Sequence, residues 1–333
     1  MTHQHQQKSP QQRSQHPPSN GTGTNSDRPT AIIVETLEHR RFAEFCDACK
    51  KYRYIGLCYG SPGVGKTLSA RHYANWDNVQ AYWSHQCQTK ALLKEINKGC
   101  VVFYTSPVVS SPSHLERDIG NTRSLLHNAA IDRAHRYEHA RLKRLLDRAE
   151  KLRDPQRNPA GYRSDEAVKA EDAFHEQRNR AMRVASTLLD PTALLVIDEA
   201  DRLKMAGLEQ VRGIFDRGGV GLVLIGMPGI EKRLARYPQF YSRIGFVHEF
   251  RSLGAKEVHE LLDQRWTPPG VHLPQHRFDP ETVAAIIRIT GGNFRLLNRL
   301  LTQIERILEI NALQQVTKAA VEAARETLVI GQA

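Results

Sequence analysis

Gly60-Ser61-Pro62-Gly63-Val64-Gly65-Lys66-Thr67 satisfies the pattern GxxxxGK(S/T) at every position. An apolar run, Tyr54 to Tyr59, precedes it, and a helical pattern, Leu68 to Ala74, follows. Strand, glycine-rich loop and helix in this order form a phosphate cradle. The glycines let backbone N–H groups turn inward where a side chain would clash, and the positive end of the helix faces the same anion. Lys66 is expected to reach the β- and γ-phosphates of ATP, and the Thr67 hydroxyl to bind Mg²⁺.

Working outward, the second half of such a site is Leu194-Leu195-Val196-Ile197-Asp198-Glu199, an apolar strand ending in two carboxylates. Asp198 is placed to hold Mg²⁺, and Glu199 to polarise the attacking water. Asp201 reads as a charge at a helix start. Further strands are expected at Cys100–Tyr104, Gly221–Ile225 and Val247–Phe250, with helices between them. This alternation predicts an α/β fold, a parallel sheet covered on both faces. After Leu253 only helical patterns remain: Ala255–Gln264, Pro280–Thr290, Asn293–Ile310 and Lys318–Leu328. The expected organisation is a tail at 1–30, a nucleotide-binding core at 31–252 and a small helical lid at 253–333. The tail is rich in Gln, His, Ser and Pro, too polar to offset its ordering entropy.

The chain has 333 residues, 40% of them hydrophobic and 25% charged, and a net charge of +11. That composition suits a soluble protein of about two domains. The absence of a long apolar run or a leader pattern predicts a cytoplasmic location and no membrane span. The positive balance points to a polyanionic partner. Among the five cysteines, Cys46 and Cys49 form a CxxC without a second pair at zinc spacing. They are expected as reduced thiols on a helix over Thr36–Lys50.

A long, charge-rich helical insertion is expected at about 106–190. Between Arg117 and Arg157 it carries eleven Lys or Arg and six acids. Arg133, Arg136, Arg141, Lys143, Arg144, Arg148 and Lys151 spread a cationic face suited to phosphates spaced along duplex DNA without sequence preference. The same residues also read as a solvated helix with internal pairs such as Asp147–Lys151. Tyr82 and Trp83, expected beside a strand, suit base stacking or core packing.

The motif order resembles the AAA+ ATPases: a P-loop parallel sheet flanked by helices and followed by a helical lid. Within them it is most similar to the TniB/TnsC transposition ATPases, relatives of the phage Mu protein MuB. The residues carrying this are Tyr54–Thr67, Leu195–Leu203, Leu224–Gly229, Tyr241-Ser242-Arg243-Ile244, Gly291-Gly292-Asn293-Phe294-Arg295 and Ala324–Gly331. The resemblance implies a homo-oligomer, ring or helical filament, on duplex DNA that recruits or activates a DDE transposase, with a TniQ-like adaptor as a further partner. It assigns Arg243 as the arginine finger, with Arg236 as the competing candidate, and Arg295 as sensor 2. Met227 stands where sensor 1 normally carries a polar residue, and a thioether does not orient water. The alternatives are a replication initiator or helicase loader, and a slow or non-hydrolysing nucleotide-switch scaffold.

Overall fold

The computed structural model describes residues 34–84, 90–153, 165–274 and 278–328. The expected tail at 1–30, Cys87, Arg157 and the last residues of the C-terminal match lie outside them. Five strands form one parallel sheet: β1 (Ile55–Tyr59), β2 (Val101–Thr105), β3 (Leu194–Asp198), β4 (Gly221–Gly226) and β5 (Ile244–Glu249). Their order is β2-β3-β4-β1-β5, with β1 in register Ile55↔Leu222 against β4 and β2 in register Val101↔Leu194 against β3. β3 and β4 are buried at every residue. Continuous apolar runs form the middle of the sheet because helices cover both of its faces. β5, at an edge, alternates between half-buried and exposed.

α1 (Leu37–Tyr52) starts at Thr36, whose hydroxyl accepts the His39 N–H at 3.1 Å. Cys46 and Cys49 both face the core from this helix, beside Phe42 and Phe45. Burial pushes their thiols up, Cys49 to about 12, so they pack as small apolar groups. α2 (Lys66–Tyr73), α3 (Trp76–Trp83) and α4 (Lys90–Gly99) lead to β2. Tyr82 and Trp83 lie on a helix and not beside a strand as expected, because Trp76, Val79 and Tyr82 recur at helical spacing and are buried together. The Tyr82 hydroxyl donates to Asp132 Oδ2 at 2.6 Å and the Trp83 indole to the Leu125 carbonyl at 3.1 Å. Both rings therefore brace α3 on the helix that follows β2.

That helix is α5 (Pro112–Arg153), 42 residues or about 63 Å of rise, and α6 (Asp165–Thr187) returns alongside it. Its first turns are anchored by buried Leu115, Ile119, Leu126 and Ala129. From Ile131 to Asp147 no described side chain is buried, so the far half of the helix projects from the core. α7 (Met205–Asp216), α8 (Ile230–Ala235) and α9 (Pro238–Tyr241) separate the later strands. A second hydrophobic cluster, separate from the first, begins at Leu253 and is formed by α10 (Ala255–Asp263), α11 (Pro280–Thr290), α12 (Phe294–Ile310) and α13 (Lys318–Glu326). No helix among the described residues is long and apolar enough to cross a membrane.

Candidate nucleotide site

The loop Gly60–Gly65 leaves the carboxyl end of β1 and enters α2 at Lys66. Gly63 and Gly65 have φ of +86° and +112°, a region that L side chains rarely adopt. A side chain at Gly60 would strike the Phe250 carbonyl. The Lys66 ammonium donates to the carbonyls of Gly60 at 2.6 Å and Ser61 at 2.9 Å. An ammonium has three donors, so one remains for an anion in the loop. Burial lowers the Lys66 pKa.

The ends of β3 and β4 face this loop. The Thr67 hydroxyl donates to Asp198 Oδ2 at 2.7 Å, which brings the two expected metal-binding side chains together. Asp198 is 2% exposed, and burial raises its carboxyl above the usual range against the opposing effect of the Thr67 hydrogen bond and the Lys66 charge. Glu199 holds a left-handed backbone (φ +54°), its N–H donates to Asp198 Oδ1 at 2.9 Å, and its carboxylate forms an ion pair with Arg202. Arg202 also donates to the Ser106 carbonyl at 3.0 Å, where β2 gives way to the α5–α6 hairpin.

Together with Pro62, Gly63, Gly65, Met227, Arg295 and Asn298, these residues line a cavity of about 470 Å³, within the range of ligand pockets. Arg295 and Asn298 are one helical turn apart on α12. Asn298 Oδ1 is buried without a hydrogen-bond partner among the described residues. The lid grips the loop directly: Asn293 Nδ2 donates to the Pro62 carbonyl at 2.8 Å, and the Arg295 N–H donates to the Gly63 carbonyl at 2.9 Å. Met227, 38% exposed, lines the cavity, and its N–H donates to Asp201 Oδ1 at 3.2 Å. Asp201 is thus more than a helix-start charge, since it ties the end of β3 to the end of β4. Arg233 supports the same turn by donating to the carbonyls of Asp201, Leu203 and Ala200. Asp201, Arg233 and Asn298 carry no local signal in the sequence, because each acts through contacts with distant segments.

Arg243 is elsewhere. It immediately precedes β5, and its carbonyl accepts the Ile55 N–H at 3.1 Å, at the amino edge of the sheet. Its guanidinium makes two bonds to Asp216, of 2.6 and 3.0 Å. Arg236 is exposed, with no ion pair among the described residues. On α5, Arg133, Arg141, Lys143 and Arg144 are exposed. Arg136 is half-buried and lies beside the Tyr82 hydroxyl. Arg148 and Lys151 continue the helix, with side chains outside the described set. The return helix places Asp165, Glu171, Asp172 and Glu176 along the same half of the hairpin, which dilutes its positive charge.

A profile of the AAA domain family matches residues 49–234, more than half of the chain. The chain belongs to the AAA domain family. It is 40% identical over 306 residues to a "potential ATP-binding protein" of Staphylococcus aureus, covering 90% of this AAA chain and 97% of that protein. Among solved structures, it is similar to the Aeropyrum pernix ORC2 protein (TM-score 0.48, 15% identity), covering 92% of this chain and 71% of that one. It is also similar to the Thermotoga maritima RuvB Holliday junction branch migration motor (TM-score 0.45, 15% identity), covering 91% and 74%.

Proposed function

We propose that this AAA chain is an ATP-dependent, DNA-binding regulator of transposition. In this reading it assembles as a ring or helical filament on duplex DNA in the cytoplasm and recruits or activates a DDE transposase, with a TniQ-like adaptor as a further partner. Residues 31–252 act as the core and 253–333 as the lid. The observation that carries the reading is the division of the site. Lys66, Thr67, Asp198, Glu199 and Arg295 converge on one cavity, whereas Arg243 stands at the opposite edge of the sheet. The five residues of β1 separate the two edges by roughly 17 Å. Arg243 therefore contacts a phosphate only in a neighbouring subunit, and turnover depends on assembly.

Within one subunit the chemistry divides clearly. The loop N–H groups and Lys66 hold the β- and γ-phosphates. Thr67 Oγ1 and an Asp198 carboxylate that burial disfavours form a hard-oxygen donor set that fits Mg²⁺. Bound there, Mg²⁺ would offset charge on the phosphate oxygens. Glu199 accepts the proton of the attacking water, and Arg295 approaches the γ-phosphate from the lid. The exposed cations of α5 meet DNA phosphates. A second reading, a slow nucleotide switch acting as a scaffold, is favoured by Met227, which cannot orient water, and by the Arg202 ion pair on Glu199.

Electron microscopy with duplex DNA and a slowly hydrolysed ATP analogue tests the proposal. Rings or filaments are expected for the wild type and none for Lys66→Ala. Equal assembly by both proteins would refute it.

A further inference from the structure

Glu199 stands in a turn whose backbone is unusual, left-handed at φ +54° in a residue with a side chain. Such a conformation persists only where surrounding contacts over-determine it. Two of these contacts are local. The Glu199 N–H donates to Asp198 Oδ1 at 2.9 Å, and the Glu199 carbonyl accepts the Arg202 N–H at 3.0 Å. Both lie within three positions of Glu199, so they shape the turn without fixing it in the fold. That anchorage comes from beyond β4. Arg233, in α8, donates from Nη1 to the Asp201 carbonyl at 2.7 Å. Its Nη2 donates to the carbonyls of Leu203 and Ala200 at 3.0 and 3.2 Å. One planar fork thus takes three of the four carbonyls that follow Glu199. Arg233 is half-buried and forms no ion pair among the described residues, and its Nε is buried without a hydrogen-bond partner among them. A guanidinium makes its strongest bonds to carboxylates, and here it is given over to the backbone of a single turn. The other contact from the β4 side, the Met227 N–H on Asp201 Oδ1, holds a side chain and not the backbone.

We propose that Arg233 is a positioning residue for ATP hydrolysis, clamping the turn after β3 so that the Glu199 carboxylate stays aimed at the attacking water. This rests on the reading above, in which Glu199 accepts the proton of that water. Arg233 is not among the residues lining the nucleotide cavity, whereas Asp198, Glu199, Asp201 and Arg202 of the turn are. It therefore acts only through the turn. Misplacing a reacting group by about an ångström costs up to about a hundredfold in rate. The phosphates are gripped by another segment, Gly60–Thr67, so loss of the clamp slows turnover and leaves ATP affinity in place.

The test is steady-state ATP hydrolysis by the full chain on duplex DNA. Arg233→Met keeps an unbranched stem but has no donor. Its kcat is expected to fall by about tenfold or more while KM for ATP stays within about twofold. Arg233→Lys restores donors on a flexible stem and is expected to recover part of the rate. The decisive comparison adds Arg233→Met to Glu199→Gln. Without the base its aim no longer matters, so the residual rate of Glu199→Gln is expected to change by less than about twofold. A merely structural role would lower both backgrounds by the same factor, and that result overturns the proposal. So does a raised KM with unchanged kcat, or wild-type turnover in Arg233→Met. If circular dichroism shows that Arg233→Met does not fold, Arg233→Lys enters the same cycle, and wild-type turnover or equal losses in the two backgrounds overturn it. Failure of the underlying reading looks different: Glu199→Gln alone would hydrolyse ATP at the wild-type rate.

Discussion

Asn293 joins the lid to the phosphate loop, and its removal has a magnitude that follows from the structure. Its Oδ1 accepts the N–H groups of Arg295 and Leu296 at 3.1 and 3.2 Å, capping α12, while its Nδ2 donates to the Pro62 carbonyl at 2.8 Å. Loss of a cap of this kind destabilises by about 0.5–2 kcal/mol. Loss of one neutral hydrogen bond between elements contributes about 0.5–1.5 kcal/mol more. Asn293→Ala is therefore expected to lower unfolding stability by about 2 kcal/mol. ATP affinity should fall about fivefold, because Arg295 and Asn298 reach the cavity only while α12 sits on the loop. Asn293→Ser separates the two effects. Serine caps as well as asparagine but is too short to reach Pro62, so stability should largely return while the affinity defect persists. Urea titration gives the first quantity and isothermal calorimetry the second. Wild-type affinity in both variants would refute the view that the lid is held on the loop by this side chain.

Two further outcomes follow from particular side chains. Asp198 has a carboxyl raised by burial, so its ionised form is penalised in the folded protein and that penalty is present at every pH above its folded pKa. Asp198→Asn should thus raise the Tm without nucleotide while removing the Mg²⁺ dependence of ATP binding, and a lowered Tm would contradict this. The exposed Arg133, Arg141, Lys143 and Arg144 of α5 imply a slope of roughly −4 in a plot of log affinity for duplex DNA against log salt. Replacing Arg141, Lys143 and Arg144 with alanine should flatten it by about 3, whereas an unchanged slope in anisotropy titrations would move the DNA contact off this hairpin.

The sequence signals succeeded where structure is local. The strand of Leu194–Asp198 was visible because a fully buried parallel strand reads as an unbroken apolar run. The start of α1 was visible because Thr36 caps it through its own helix, at His39. The glycine turn after β1 was legible because its glycines answer to backbone geometry and little else. What escaped is long-range. The bond from Asn293 to Pro62 spans 231 positions, and the donations from Arg233 to the turn after β3 span about thirty. The α5–α6 hairpin was visible as helical and charged, but its antiparallel pairing was not, since its far half buries no described apolar side chain that would mark a face. The partner of Arg243 in this structure, Asp216, was equally hidden, because both are ordinary surface charges when read along the chain.

The division of the site between subunits is tested most directly by mixing two defective proteins. Glu199→Gln lacks the proposed general base but keeps the phosphate-binding loop, assembly and Arg243, and Arg243→Ala lacks the proposed finger but keeps Glu199. Each alone should hydrolyse almost no ATP on duplex DNA. In a random co-assembly, about a quarter of the interfaces pair an intact Glu199 with an intact Arg243 from the neighbour, so turnover near a quarter of the wild-type rate should return. A mixture as inactive as its components, or an Arg243→Ala protein as active as the wild type, would contradict a nucleotide site completed by a second subunit.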